Sequence, residues 1–282
     1  MDQISYNDIL KNAIAASKEN AKEEPGDYIK DGILYCGKCN TPKQEHREIL
    51  NKVWLFGIKC SCKKQKDQEE AEEEKRRAFA DMVQKNRREC FPEGKLASWT
   101  FENDDGSNAK YINAMKRYVA NFENFKEQGR GIILYGPTRH GKTYLAACVA
   151  HALIDKGYRV IFTSLAQIER TLQSRWNGRE EYINVLSRVP LVVIDDFGTE
   201  RDTTYMGEIV YSVINARYTA GLPLIATTNL TLAELTKPAE LKQQRVFGRL
   251  LEMCYPVEVK GRNKRQDKIM DTYAPIRDIL GV

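Results

Sequence analysis

Eight residues constrain this chain more than any others: Gly136-Pro137-Thr138-Arg139-His140-Gly141-Lys142-Thr143. They fit the pattern G-x-x-x-x-G-K-[ST]. The apolar run Ile132-Ile133-Leu134-Tyr135 leads straight into them, and residues 144–154 follow with the spacing of an amphipathic helix. Buried strand, glycine-rich turn and helix in that order form the context in which the pattern carries chemistry. The glycines let backbone N–H groups wrap a phosphate chain, and the helix N-terminus adds a favourable dipole. Lys142 is then placed to contact β- and γ-phosphates, and the Thr143 hydroxyl to reach Mg²⁺. These residues are read as a cradle for ATP.

The surrounding sequence supports one architecture. Short apolar runs at 131–135, 158–163, 191–195, 222–227 and 255–259 alternate with helical stretches of ten or more residues. That alternation predicts an α/β fold with a parallel five-stranded sheet covered on both faces. Leu191-Val192-Val193-Ile194-Asp195-Asp196 reads as a central strand whose carboxylates emerge at its C-terminal end, where open α/β sheets bind ligands. Asp195 is expected to hold Mg²⁺ through water, and Asp196 to polarise the attacking water. The second position is usually glutamate in such ATPases, and the shorter aspartate suits slow hydrolysis. Two acids ending a strand also suit a simple turn. Leu224-Ile225-Ala226-Thr227-Thr228-Asn229 is a further buried strand. Asn229 could orient the lytic water or cap the helix that begins near Leu232.

The N-terminal part differs in composition. Within residues 1–62, Ile9, Leu10 and Ile14 sit at helical spacing, and Cys36-Gly37-Lys38-Cys39 and Cys60-Ser61-Cys62 bracket twenty residues. Four thiolates at this spacing suit a closed tetrahedral zinc site, because so few apolar neighbours exist to stabilise the module otherwise. His46 lies between the pairs and could replace one cysteine. Residues 63–95 are dominated by charge, with Glu69, Glu70, Glu72, Glu73 and Glu74 followed by Lys75-Arg76-Arg77, and read as an exposed linker helix terminated at Phe91-Pro92-Glu93-Gly94. Cys90, Cys148 and Cys254 read as ordinary thiols.

Composition bounds the remaining options. The chain has 282 residues, which suggests about two domains. Its net charge of +5, spread along the sequence, permits nucleic-acid binding without arguing for it. No apolar run approaches the roughly 20 residues of a membrane span, and no secretory signal is visible, so a cytoplasmic location is expected.

The P-loop, Asp195-Asp196-Phe197-Gly198-Thr199-Glu200, Thr227-Thr228-Asn229-Leu230 and Arg245-Val246-Phe247-Gly248-Arg249-Leu250 occur in this order. Together they resemble the AAA+ ATPases of the bacterial and phage replicative helicase loaders, DnaC and DnaI, and their transposition relative IstB, over roughly residues 96–270. The resemblance implies ATP-dependent assembly on a replicative helicase of the DnaB family, self-association and contact with single-stranded DNA. It assigns Arg249 to complete a neighbouring subunit's ATP site, although a helix-surface arginine would look alike. It assigns Arg265 to sense phosphate, against the alternative of a solvated basic tail. Two helical segments between Ser164 and Ser187 resemble the family's DNA-lining insertion, with Arg170, Arg175, Trp176 and Arg179 as candidate contacts or plain surface. Too few residues follow the last strand for a three-helix lid, so no lid is expected. A zinc-bearing helicase-binding domain is also compatible with the family.

The sequence therefore predicts three parts: a zinc-bearing, helicase-interacting module over 1–62, a charged helical linker over 63–95 and an AAA+ ATPase domain over 96–282. The expected function is ATP-dependent loading of the replicative helicase onto single-stranded DNA, with hydrolysis as a release switch. The alternatives are an IstB-like transposition helper and a non-hydrolysing adaptor.

Overall fold

Five short, continuous apolar runs separated by helical stretches can bury both faces of each strand in a parallel sheet with helices on each side. A computed structural model shows this arrangement. It describes residues 6–49, 51–91, 94–106, 108–174, 178–198, 204–238, 240–261 and 279–280. The chain divides into two compact units, Met1–Ala80 and Asp81–Val282.

In the first unit, helix α1 (Tyr6–Ser17) precedes the antiparallel pair β1 (Tyr28–Lys30) and β2 (Ile33–Tyr35) and the hairpin β3 (Gln44–Ile49) and β4 (Lys52–Gly57). Its described apolar core is small: Leu10, Leu34 and Phe56, with the thiols of Cys36 and Cys60. The charged stretch forms helix α2 (Ser61–Cys90), whose residues fall on both sides of the division. Exposed i,i+4 pairs, Lys66–Glu70 at 3.5 Å and Glu73–Arg77 at 2.9 Å, support it by about 0.3–0.5 kcal/mol each. Its end is anchored more firmly, because Cys90 and Phe91 enter the core of the second unit and the Phe91 ring stacks on His151 at 4.1 Å.

The second unit runs through α3 (Ala109–Ala120), α4 (Phe122–Glu127), β5 (Gly131–Tyr135), α5 (Lys142–Asp155), β6 (Val160–Ser164), α6 (Leu165–Ser174), α7 (Arg179–Leu186), β7 (Leu191–Phe197), α8 (Thr204–Ala220), β8 (Leu224–Thr228), α9 (Leu232–Thr236), α10 (Leu241–Met253) and β9 (Cys254–Glu258). The five strands pair in the order β6-β7-β8-β5-β9, all parallel. Ile132, Leu134, Val193 and Ile225 pack with α3 and α5 on one face. Ile133, Val192, Ile194 and Ala226 pack with α6, α8 and α10 on the other. The chain order reverses beside β5, so the C-terminal ends of β5, β7 and β8 open onto one crevice.

Two expectations need correction. The runs starting at 158 and 222 enter the sheet two residues later, at Val160 and Leu224. Those residues first close the preceding helices: the Tyr158 N–H donates to the Leu153 carbonyl at 3.0 Å and the Leu222 N–H to the Arg217 carbonyl at 3.3 Å, each five residues back along the chain. Helix α5 is also not amphipathic. Residues 145–151 are all buried, because α3 covers the side away from the sheet. The expected absence of a lid concerns residues 262–278, which lie outside the described ones. No helix among the described residues is long and apolar enough to cross a membrane.

Arg217 is the largest fully buried side chain among the described residues. Its guanidinium donates to the carbonyls of Leu186 at 2.9 Å, Val189 at 2.6 Å, Pro190 at 3.3 Å and Pro223, tying α8 to the chain just before β7 and β8. Burial lowers its pKa to about 10, which leaves it charged at neutral pH. Arg217→Met is expected to strand these acceptors and cost about 3 kcal/mol, a Tm drop on the order of 10 °C. An unchanged melting curve would mean that the carbonyls are satisfied some other way.

Candidate functional site

The phosphate cradle is built by a strand that ends where a helix begins. After β5 the chain turns through Gly136, and α5 starts at Lys142 with Gly141 at its N-cap. Gly141 has φ 90°, in the left-handed region that side chains avoid, and no side chain caps the helix. The first-turn amides of α5 are thus left to an anion. Pro137, Thr138 and Arg139 are exposed on the solvent side of the turn, and the His140 ring Nδ1 lies 2.7 Å from the Thr138 carbonyl.

Lys142 is buried beneath this turn. Its ammonium donates to the carbonyls of Gly136 at 2.8 Å and Pro137 at 2.7 Å and to Asn229 Oδ1 at 2.8 Å. Burial lowers its pKa against the opposing pull of Asp196 and Asp195. Asn229 is therefore next to Lys142, and it does not cap a helix. The cap of α9 is Thr231, whose hydroxyl accepts the Glu234 N–H at 3.3 Å while Glu234 reaches back to the Thr231 N–H at 2.7 Å.

Asp195 and Asp196 sit on a β-bulge, two residues of β7 facing the single Thr227 of β8. Thr227 is fully buried and serves both. Its hydroxyl donates to Asp195 Oδ1 at 2.6 Å and accepts the Asp196 N–H at 3.0 Å. The bulge leaves Asp196 exposed at φ 53°, a costly conformation for a non-glycine residue that is held by the surrounding ladder. Burial raises the Asp195 pKa and the neighbouring Asp196 charge adds to this, while hydrogen bonds from Thr227 and Thr143 oppose it. A half-buried carboxylate that interacts with the Thr143 hydroxyl fits a hard divalent cation such as Mg²⁺.

Thr227 and Asn108 went unnoticed in the sequence. Asn108 is buried at the start of α3, where its side chain lies against both Gly141 and Gly261. The signal for Thr227 was two threonines closing an apolar strand, since buried hydroxyls require partners. Asn108 carried no signal beyond a helix-start position.

Arg249 lies elsewhere, on α10, with its guanidinium over the rings of Tyr211 and Tyr218. Arg170 is exposed on α6 and bonds its own helix at Ala166. Arg175, Trp176 and Arg265 lie outside the described residues, as does the side chain of Arg179.

The second candidate site is in the N-terminal unit. The sulfurs of Cys36, Cys39, Cys60 and Cys62 all lie within 4.8 Å of one another, with Cys36–Cys62 at 3.5 Å and Cys60–Cys62 at 3.4 Å. These separations are too long for disulfides, and zinc–sulfur bonds of about 2.3 Å place tetrahedral sulfurs about 3.8 Å apart. Hydrogen bonds to Cys60 and then Cys36 push the Cys62 thiol up to about 12, while the Thr41 hydroxyl helps to hold Cys39 down at about 5. Four sulfur donors converging in one cluster fit zinc, which would hold them as thiolates. His46 is paired with Leu55 in the β3–β4 hairpin and is not in the cluster. The first knuckle is braced from behind. Asp27 accepts the Gly37 N–H at 3.0 Å and the buried Lys43 ammonium at 2.6 Å, and a Cβ on Gly37 would meet the Gly26 carbonyl oxygen at 1.9 Å. Chiefly through Lys43, the Asp27 carboxyl is held at about 2. Cys90, Cys148 and Cys254 are buried, and burial pushes Cys90 and Cys254 up to about 12, far from a nucleophile's range.

Residues 59–271 match a protein family described as IstB-like ATP binding protein. The chain belongs to this family. The IstB-like chain is 28% identical over 185 residues to the replicative helicase loader DnaI of Bacillus subtilis, a match covering 60% of this chain and 59% of that protein. It is 28% identical over 155 residues to the replicative helicase loader DnaC of Escherichia coli, covering 54% and 62%. A putative insertion-sequence ATP-binding protein of Mycobacterium tuberculosis is 30% identical over 157 residues, covering 55% and 61%. The chain thus spans about three fifths of the length of these curated relatives. Among solved structures, the crystal structure of the DnaC helicase loader superposes with a TM-score of 0.53 at 22% identity, covering 60% of this chain and 100% of that one. The likeness is one of fold: the second unit of this IstB-like protein is an AAA+ domain with a five-stranded parallel sheet, related to the DnaC and DnaI loaders.

Proposed function

We propose that this protein is an ATP-dependent loader of a replicative, DnaB-type DNA helicase onto single-stranded DNA. The N-terminal module, residues 1–62, binds zinc and grips the helicase, residues 63–95 connect it, and residues 96–282 bind ATP and Mg²⁺, self-associate and engage the single strand in the cytoplasm. Residues 136–143 hold the triphosphate. Thr143 and Asp195 would hold the ion, which would supply charge neutralisation to the triphosphate. Lys142 exchanges its acceptors in the turn for phosphate oxygens, which frees Asn229 to orient water that Asp196 polarises. Arg249 completes the site of an adjacent copy, and Arg265 senses the γ-phosphate. Hydrolysis is slow, is stimulated by partner or DNA, and releases the helicase.

The observation that carries this reading is the presence of a four-sulfur module and an AAA+ phosphate site in one chain. The relatives named replicative helicase loaders support it. A transposition helper is the second reading, favoured by the family description and the insertion-sequence relative. A tagged chain incubated with extract of the host bacterium separates the two. Retention of the replicative helicase, with its transfer to circular single-stranded DNA on adding ATP, supports loading. Retention of a transposase without helicase sinks it.

The phosphate assignment has its own test. Lys142→Ala removes a charge-assisted contact of about 3 kcal/mol, so ATP is expected to bind about a hundredfold more weakly in a calorimetric titration. Asn229→Ala removes only a competitor for the ammonium and should not weaken binding. Wild-type ATP affinity in Lys142→Ala would remove the assignment.

A further inference from the structure

Arg249 is held by ring faces. Its guanidinium carbon lies 4.8 Å from the Tyr211 ring centroid and 5.6 Å from that of Tyr218. The two tyrosines are seven residues apart on α8, so their rings project from one face of that helix, and both are partly exposed. Three residues on from Arg249 along α10 stands Glu252, the position at which an acid ordinarily pairs with a helical arginine. Among the described residues no carboxylate forms an ion pair with Arg249. The Glu252 carboxylate instead acts on the Tyr218 hydroxyl and raises the tyrosine's pKa. Arg249 Nη1 is enclosed and has no hydrogen-bond partner among the described residues.

A cation between two rings is oriented by their negative faces but keeps its full charge. A cation paired with a carboxylate is oriented too, yet it must break that pair before it can serve another anion. The arrangement on α8 and α10 supplies orientation without neutralisation. We infer that Tyr211 and Tyr218 are positioning residues that keep Arg249 aimed and uncompensated for an anion arriving from outside the chain. Tyr218 contributes twice, through its ring and by drawing Glu252 away. The inference rests on the reading that Arg249 completes a neighbouring copy's site, and the anion is the γ-phosphate of the ATP bound there. A charge fixed in place before the reaction costs no reorganisation as the transition state forms.

The test is ATP hydrolysis per chain, measured over a range of chain concentrations with single-stranded oligothymidylate, with nucleotide affinity and Tm measured alongside. Tyr211→Phe keeps the ring and is expected to retain wild-type kcat. Tyr211→Leu should lower kcat on the order of tenfold with KM, nucleotide affinity and Tm unchanged. Tyr218→Phe keeps its ring but frees Glu252 to pair with Arg249, so kcat should fall about fivefold. Adding Glu252→Gln in the same chain should restore it. A purely structural role for Tyr218 predicts no such rescue, because the second change removes no contact that the first had left intact. If Arg249→Ala itself leaves hydrolysis unchanged, the trans-acting reading falls and this inference with it. If Arg249→Ala collapses hydrolysis while Tyr211→Leu and Tyr218→Phe behave as wild type, the arginine reading stands and the cage is overturned. A fall in Tyr218→Phe that Glu252→Gln fails to restore overturns the role assigned to the hydroxyl.

Discussion

Stripping zinc from the N-terminal unit is expected to unfold that unit while the second unit goes on binding ATP. The described apolar core of the first unit is Leu10, Leu34 and Phe56, too little to offset the entropy of ordering its strands. The four sulfurs converge within 4.8 Å, and structural zinc sites of this kind contribute about 10 kcal/mol or more to folding. Purified, reduced protein should therefore carry about one zinc ion per chain. Chelation, or Cys36→Ser, should make residues 1–60 protease-sensitive and release Trp54 from its packed setting without changing nucleotide affinity. The two units have separate cores, so the damage should stay local. Acid should act through the thiolates rather than through Asp27. With its pKa held at about 2, the Asp27 contribution is complete above the unfolded value of about 3.9 and fades only as pH falls toward 2. Metal-free protein that keeps residues 1–60 folded would overturn the zinc site.

Arg249→Ala is expected to collapse stimulated hydrolysis while leaving the isolated chain's ATP affinity nearly intact. The residues gathered around the P-loop, Lys142, Thr143, Asp195, Thr227 and Asn229, do not include Arg249, which lies over the rings of α8. Arginines supplied across a subunit boundary are worth on the order of a thousandfold in related phosphoryl transfers, about 4 kcal/mol of transition-state stabilisation. Mixing gives the sharper form. Arg249→Ala and Asp195→Asn chains are each inactive alone, but a mixed interface can join the intact Arg249 of one to the intact Asp195 of the other. Partial activity should return in mixtures that co-assemble. No recovery there, or an Arg249→Ala protein with normal hydrolysis, would return Arg249 to the status of a surface residue.

Most of the architecture could be read directly from the residues, because the signals are local. Strand runs buried on both faces show as continuous apolar stretches, and the glycine turn fixes where α5 begins. The cysteine pairs announced their cluster by spacing alone. The sheet order β6-β7-β8-β5-β9 could not be read the same way, since it depends on which runs meet across 30 to 120 residues of sequence. The two late strand starts escaped because the backbone amides of Tyr158 and Leu222 satisfy helix ends first.

By itself the sequence determined the residue types at the site: a flexible turn, a lysine, two acids, an asparagine and four thiols. Only the tertiary structure decided what those groups touch. Asn229 could still be read as a cap rather than a site residue until β8 brought it within 2.8 Å of Lys142 and Thr231 took the cap. His46 was a possible ligand until the hairpin register set it opposite Leu55. Thr227 became visible only when one threonine was found facing two aspartates across a bulge, and the pair of rings under Arg249 only when α8 met α10. The reason is the same in each case. Chemical identity is a property of one residue, whereas charge state and direction are set by neighbours that folding brings from far along the chain.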